Sequence, residues 1–249
     1  MSAVEHPRPA RPTTLQVALN GGVGDDRMPR TPPETARQAA ASVAEGATSI
    51  HLHAYDDDGV ETLEAGFVAT TLIAVRERCP GVPVNMTTFA DVEPDPGRRH
   101  ALVSAWTVLP DLVPANQGED GIGELAAMLA ARGVGVEACL LSDRDTELFL
   151  ARGRWDRYER VFVEPTAPDP NEAVADAART SRALTDAGCG LEQVHHGVGV
   201  ATWSVLAQAV RLGHGLRVGL EDTDVLADGT PVPDNAGLVA AAATLLGSR

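Results

Sequence analysis

Eight short β-rich runs alternate with alanine-rich helical stretches along this chain, and that alternation restricts the fold more than any other feature. The runs are Leu15 to Gly21, Ser49 to Tyr55, Val82 to Thr88, Leu112 to Asn116, Val134 to Leu141, Arg160 to Glu164, Gln193 to Val198 and Leu216 to Glu221. Between them lie amphipathic helical stretches such as Pro33 to Glu45, Gly66 to Arg78, Gly121 to Arg132, Asn171 to Ala187 and Thr202 to Leu212. Thr31-Pro32-Pro33-Glu34 has the form of a capped helix start, and Gly46, Gly133, Gly188 and Gly213 each follow a helical run. Strands joined by helical crossovers run parallel, and eight of them favour closure into a single (β/α)8 TIM barrel over an open sheet. A Rossmann sheet is further disfavoured because Asn20-Gly21-Gly22-Val23-Gly24 lacks Gly-x-Gly-x-x-Gly spacing and reads as a flexible turn. The expected catalytic domain spans residues 15–249, preceded by a flexible arm over 1–14.

Composition narrows the chemistry. With 249 residues and 44% hydrophobic content, the chain can bury one sizeable core. No apolar stretch approaches the ~20 residues of a membrane-spanning helix, and the Pro/Arg-rich start does not read as a signal peptide, so a cytoplasmic protein is expected. A net charge of -15 and scattered arginines argue against nucleic acid or anionic membranes as partners. Cys79, Cys139 and Cys189 have no paired spacing and read as small buried residues. All 20 basic residues are arginine. A chain without lysine cannot form a Schiff base, anchor pyridoxal phosphate or build a P-loop, so the electron sink for any carbonyl chemistry must be a metal.

In a barrel of this kind functional groups gather at the carboxyl ends of the strands. The second run carries His51-Leu52-His53, and alternation along a strand points both imidazoles the same way, as a two-donor metal clamp. The plainer reading is a pair of buried histidines bonded to backbone. On the eighth run Arg217, Gly219 and Glu221 share a face and Asp222 follows. Charges facing a barrel interior must be paired or metal-bound, so Glu221 is a candidate third ligand, and Gly219 leaves a gap for a ligand. Asp222 beside Arg217 is a candidate base held ionised by the cation, although a lone aspartate at a strand end is more often a turn residue. Weaker signals come from Asn20, Thr87, Thr88, Asn116, Glu137 and Glu164, of which Thr87, Thr88 and Asn116 could hydrogen-bond a substrate carboxylate. His195 and His196 are adjacent and face opposite ways, one toward the mouth and one toward the helices.

The combination of His51-Leu52-His53 with Arg217-Val218-Gly219-Leu220-Glu221-Asp222 resembles the β-keto acid cleavage enzymes. Ala18-Leu19-Asn20-Gly21, Thr31-Pro32, Asn116-x-Gly118 and Asn235-Ala236-x-Leu238-Val239 are similar and in family order, so the resemblance spans residues 15–245. It implies a zinc ion held by His51, His53 and Glu221, with acetyl-CoA as co-substrate and acetoacetate plus a new acyl-CoA as products. It assigns Arg217 and Asp222 to a proton-transfer dyad, places the substrate-carboxylate contact on Thr87 with Thr88 beside it, and gives the protein a homo-oligomeric, tetrameric state; Asn116 and Asn20 are the further expected substrate contacts. This chain departs from the family at Tyr55, Phe89, Ala90 and Pro114, and Gly22 and Val23 stand where amine-substrate members carry an acid. The substrate is therefore expected to lack a cationic amine.

Two other readings use the same residues. A barrel metallohydrolase acting on a lactone or amide also uses a His-x-His pair and a strand-eight aspartate, but its usual carboxylated lysine is impossible here. A binding module with structural histidines is the non-enzymatic alternative, disfavoured by the number of polar groups gathered at one end of the strands.

Overall fold

The computed structural model describes residues 13–22 and 26–247. Its elements, in order, are β1 (Leu15–Ala18), α1 (Pro32–Ala44), β2 (Ser49–Leu52), β3 (Ala54–Tyr55), β4 (Glu61–Thr62), α2 (Ala65–Arg78), β5 (Val84–Met86), α3 (Pro96–Ser104), β6 (Leu112–Asn116), α4 (Ile122–Ala131), β7 (Gly135–Leu140), α5 (Asp143–Arg152), β8 (Arg160–Val163), α6 (Pro170–Asp186), β9 (Glu192–His195), α7 (Thr202–Leu212), β10 (Gly215–Val218) and α8 (Asn235–Gly247). Eight strands close in the order β1-β10-β9-β8-β7-β6-β5-β2, every pairing parallel, which is the expected (β/α)8 barrel. All eight sequence-predicted strands belong to it. The expected N-terminal arm lies outside the described residues except at its end, where the Thr14 hydroxyl and amide donate to Glu192 at 2.9 Å and tie the chain to the barrel floor. No helix among the described residues is long and apolar enough to cross a membrane.

Local signals explain the helix starts and the core. Glu34 accepts from the Thr31 amide at 3.2 Å, closing the first turn of α1 as the Thr-Pro-Pro-Glu run predicts. The barrel's outer face is covered by two apolar clusters, one in which Val17, Ile50, Leu52 and Val84 pack with Leu72, Val75 and Leu238, and one in which Ala138, Val161 and Val163 pack with Phe149, Ala177 and Leu184. Its interior is different. Cys139, Phe162 and Val194 form a small apolar plug, and below it lie the buried polar side chains of Gln16, Ser49, Asn85 and Glu137.

Two departures from the sequence reading shape the mouth. The second run is not one strand to Tyr55: β2 stops at Leu52, and Ala54 and Tyr55 pair antiparallel with Glu61 and Thr62 in a hairpin. Its turn is built by Asp56, whose carboxylate accepts from the amides of Asp58 and Val60 at 3.0 and 2.9 Å. The eighth run likewise stops at Val218, and the amides of Asp222 and Thr223 both bond Gly219 O at 2.9 Å. That turn brings the adjacent Glu221 and Asp222 to the same side, which a continuing strand could not do.

Candidate metal centre and active site

His51 and His53 lie side by side at the carboxyl end of β2, ring centroids 5.3 Å apart and nearly perpendicular at 83°. Each ring is held by its Nδ1. His51 Nδ1 lies 2.7 Å from Asn85 Oδ1, and His53 Nδ1 lies 2.6 Å from Glu61 Oε2 on the hairpin. Both Nε2 atoms are thereby turned toward Glu221, at 3.5 Å from Oε2 for His51 and 4.0 Å from Oε1 for His53.

Glu221 Oε1 accepts from Arg217 at 2.5 Å, while Oε2 is buried with no hydrogen-bond partner among the described residues. A Cβ on Gly21 would stand 2.8 Å from His53 Nε2, so the glycine keeps that side of the ring open. The three donor atoms lie within 4.8 Å of one another. Two imidazole nitrogens and a carboxylate oxygen, buried and mutually facing, fit one divalent cation of the zinc type with a position left for another ligand. Burial, reinforced by Arg217 and His53, pushes His51 well below the usual histidine range, which keeps it in the neutral, ligating form. Burial raises Glu221 against the pull of Arg217.

Gly219 does not leave a gap for a ligand, as the sequence had suggested. A Cβ there would fall 1.8 Å from the backbone oxygen of Ala18. The glycine is needed because β1 passes directly against the turn, and that close approach is what seats Glu221 and Asp222 over the mouth.

Asp222 is 4% exposed and doubly bound by Arg217, with Nη2 to Oδ1 at 3.0 Å and Nε to Oδ2 at 3.3 Å. His196 bridges two carboxylates, its Nδ1 lying 3.3 Å from Asp222 Oδ1 and its Nε2 3.2 Å from Glu164 Oε2. Burial pushes Asp222 up, but Arg217 and then His196 outweigh it and hold the carboxylate well below its usual range. Burial and Arg217 press His196 down, yet Asp222 and Glu164 together raise it to about 9, so this imidazole is charged at neutral pH. His196 is therefore the mouth-facing member of the histidine pair. His195 turns to the helical layer and stacks on His214, centroids 4.6 Å apart.

These groups line a cavity of about 170 Å³ that runs from His51 and His53 past Thr87 and Asn116 to His196 and Asp222. That is room for roughly six waters, or for one small organic acid. A larger hollow of about 460 Å³ lies between α1 and the 233–236 loop, but its lining has no buried, convergent donor set like that of the mouth. Four residues with expected substrate contacts divide evenly. Thr87 and Asn116 line the cavity, Asn116 with its amide held by Glu119 at 2.7 Å. Thr88 instead donates to Pro114 O at 3.0 Å, and Asn20 is fully buried as a backbone clamp. The Asn20 amide donates to Pro29 O at 2.6 Å and its oxygen accepts from the His53 amide at 2.8 Å. Sequence reasoning missed Glu61 and the Asn85 contact, and it left His196 unassigned. The Asp56-Asp57-Asp58-Gly59 run was the available signal for the hairpin that delivers Glu61.

The profile of the family described as beta-keto acid cleavage enzyme matches residues 12–149 and 167–248. A curated relative, a 3-oxoadipate:acetyl-CoA acetyltransferase of Cupriavidus necator, is 26% identical over 264 residues, covering 94% of this chain and 88% of its own. A 3-keto-5-aminohexanoate cleavage enzyme of Fusobacterium nucleatum subsp. nucleatum is 38% identical over 61 residues, which is 24% of this chain and 22% of that one. Among solved structures, a ternary complex of ObcA with a C4-CoA adduct and oxalate superposes with a TM-score of 0.74 at 15% identity, over 89% of this chain. This chain spans 64% of that one, and at such low identity the likeness is one of fold.

Proposed function

This chain belongs to the β-keto acid cleavage enzyme family, and from that premise we propose that it exchanges acyl groups between a β-keto acid and acetyl-CoA, giving acetoacetate and a new acyl-CoA. The observation that carries the reading is the convergence of His51, His53 and Glu221 with the Arg217–Asp222 pair at one end of the barrel. Such an end is where barrels of this type do chemistry.

His51, His53 and Glu221 would hold the metal, whose contribution is to polarise the keto oxygen as a Lewis acid and so acidify the adjacent CH₂. Asp222, ionised by Arg217 and His196, takes a proton from that carbon. The carbanion attacks the thioester carbonyl of acetyl-CoA and CoA thiolate leaves. The thiolate then adds to the original keto carbon, and the carbon–carbon bond to the CH₂ breaks. The acyl group departs on CoA, while the released acetoacetate carbanion recovers its proton from Asp222. Thr87 and Asn116 line the space that the substrate carboxylate would occupy.

The substrate carries no cationic amine in this reading. Each carboxylate lining the cavity among the described residues is already opposed by a positive group, Glu164 by His196 and both Glu221 and Asp222 by Arg217, which leaves none of them to receive an ammonium. The relative named for 3-oxoadipate, a keto acid without an amine, supports this choice. Family membership also favours acyl exchange over lactone or amide hydrolysis.

The test measures zinc content and acetoacetate formation in the purified protein and in His51→Ala and Glu221→Ala. Stoichiometric metal with acetyl-CoA-dependent product, both lost in the variants, is expected. Metal with hydrolysis of lactones or amides and no CoA dependence would replace this reading by the hydrolase.

A further inference from the structure

The barrel interior beneath the metal site holds an unusual load of charge. Glu137, on β7, is 1% exposed, and its Oε1 lies 3.4 Å from Arg160 Nε at the start of β8. Arg160 continues the chain of contacts to Glu192 at 3.8 Å and to the Thr14 hydroxyl at 3.0 Å. Apolar layers normally fill this space, and a well-packed hydrophobic replacement for a buried ion pair is often neutral or stabilising. Stability alone is therefore a poor reason for Glu137 to be there.

Its upper contacts suggest a better one. Glu137 Oε2 accepts from Asn85 Nδ2 at 2.5 Å and from Gln16 Nε2 at 3.4 Å, and Asn85 Oδ1 is the group 2.7 Å from His51 Nδ1. We propose that Glu137 is a positioning residue which, through Asn85, dictates which nitrogen of His51 carries the proton. An ionised carboxylate only accepts, so the Asn85 amide must present its NH₂ downward and its oxygen upward. The upward oxygen also only accepts, so His51 must carry its proton on Nδ1. Nε2, the atom facing Glu221, is then left with a lone pair for a metal. If Asn85 turned over, its NH₂ would meet His51 Nδ1 and move the proton to Nε2, where it blocks ligation.

The inference rests on the metal-site reading above, and a readout in metal-free protein keeps the two separable. Burial pushes Glu137 up to about 7 against the pull of Arg160. The measurements therefore belong at about pH 8, where the carboxylate is ionised. Glu137→Gln preserves shape but puts an NH₂ within reach of Asn85, which favours the turned-over amide. The double variant Asn85→Asp with Glu137→Gln reverses the polarity of the pair at unchanged net charge. The carboxylate introduced on β5 accepts from His51, and the amide introduced on β7 donates to that carboxylate while facing Arg160 with its oxygen.

Zinc affinity by chelator competition should fall about 10–100-fold in Glu137→Gln and return to within about 3-fold of the wild type in the double variant. Imidazole nitrogen shifts of metal-free protein should show His51 protonated on Nδ1 in the wild type and the double variant, and on Nε2 or mixed in Glu137→Gln. Asn85→Ala, which leaves Glu137 and Arg160 in place, should weaken zinc to a similar extent. Wild-type affinity in Glu137→Gln, or a double variant no better than the single one, would overturn the proposal. An unchanged Nδ1 tautomer in Glu137→Gln would overturn it equally. A wild type that binds no zinc counts against the metal site, while the tautomer result still decides the role of Glu137.

Discussion

Glu61 Oε2 lies 2.6 Å from Nδ1 of His53, a contact that exists because the β3–β4 hairpin folds the chain back over β2. The same carboxylate accepts from the Gly22 amide at 2.7 Å and from the Tyr55 hydroxyl at 3.4 Å, so its orientation is over-determined. It holds the ring with Nε2 toward Glu221, the arrangement in which a carboxylate supports a ligating histidine.

Replacing Glu61 by Gln should therefore weaken zinc binding about 10-fold and by Ala up to about 100-fold. Chelator competition measures this directly, and a Glu61→Ala protein that holds zinc as the wild type does would remove the residue from the metal site.

Asp222→Asn separates proton transfer from metal binding. Its carboxylate contacts Arg217 and His196 but no ligand atom of His51 or His53. Zinc content should stay stoichiometric while turnover falls about 10²–10⁴-fold. Retained turnover would mean that another group takes the proton.

The barrel was legible because each strand is a short β-rich run set off from a helix, and the His51–His53 pair was legible because neighbouring alternate residues share a face. Three helices escaped for physical reasons. Helix α3 begins with Pro96, Arg98 and Arg99, and only the structure shows that Arg99 is buried, reaching Asp120 O at 2.6 Å. Helix α5 opens with Asp143 and Asp145, of which Asp145 is buried and caps the Leu141 amide at 2.9 Å. Helix α8 is apolar nearly all round and so lacks the polar face that marks a helix in sequence. In the site, residue type carried the reading only part of the way. Asn20, Thr87, Thr88 and Asn116 are all polar groups near strand ends, but the nearest backbone acceptor takes two of them out of the cavity, and that depends on how loops cross.

Gly219→Ala tests the seating of the strand-eight turn. The added methyl would meet the backbone of Ala18, which no rotamer change can relieve. A loss of about 3 kcal/mol or more is expected from the shift of the denaturant midpoint, with activity falling as Glu221 and Asp222 are displaced. A midpoint equal to the wild type would show that β1 and the turn are not in close contact.

His196 should govern the alkaline limb of stability. Its folded value is raised to about 9 from an ordinary 6.5, so the folded state binds the proton more tightly than the unfolded chain. The contribution is complete below about pH 6.5, declines as pH rises and is lost above about 9, amounting to up to about 3 kcal/mol. Unfolding of metal-free protein between about pH 6 and 9.5 should follow this slope, and His196→Gln should flatten it. A slope that persists in the variant would assign the effect to other groups.

Acyl exchange at the His51, His53 and Glu221 centre is tested most directly by following carbon. With acetyl-CoA labelled with ¹³C at the carbonyl and a set of β-keto acids that carry no amine, the zinc-loaded protein should place the label at C3 of acetoacetate and leave the new acyl-CoA unlabelled. Acetoacetate without label, or label recovered only as free acetate, would contradict it.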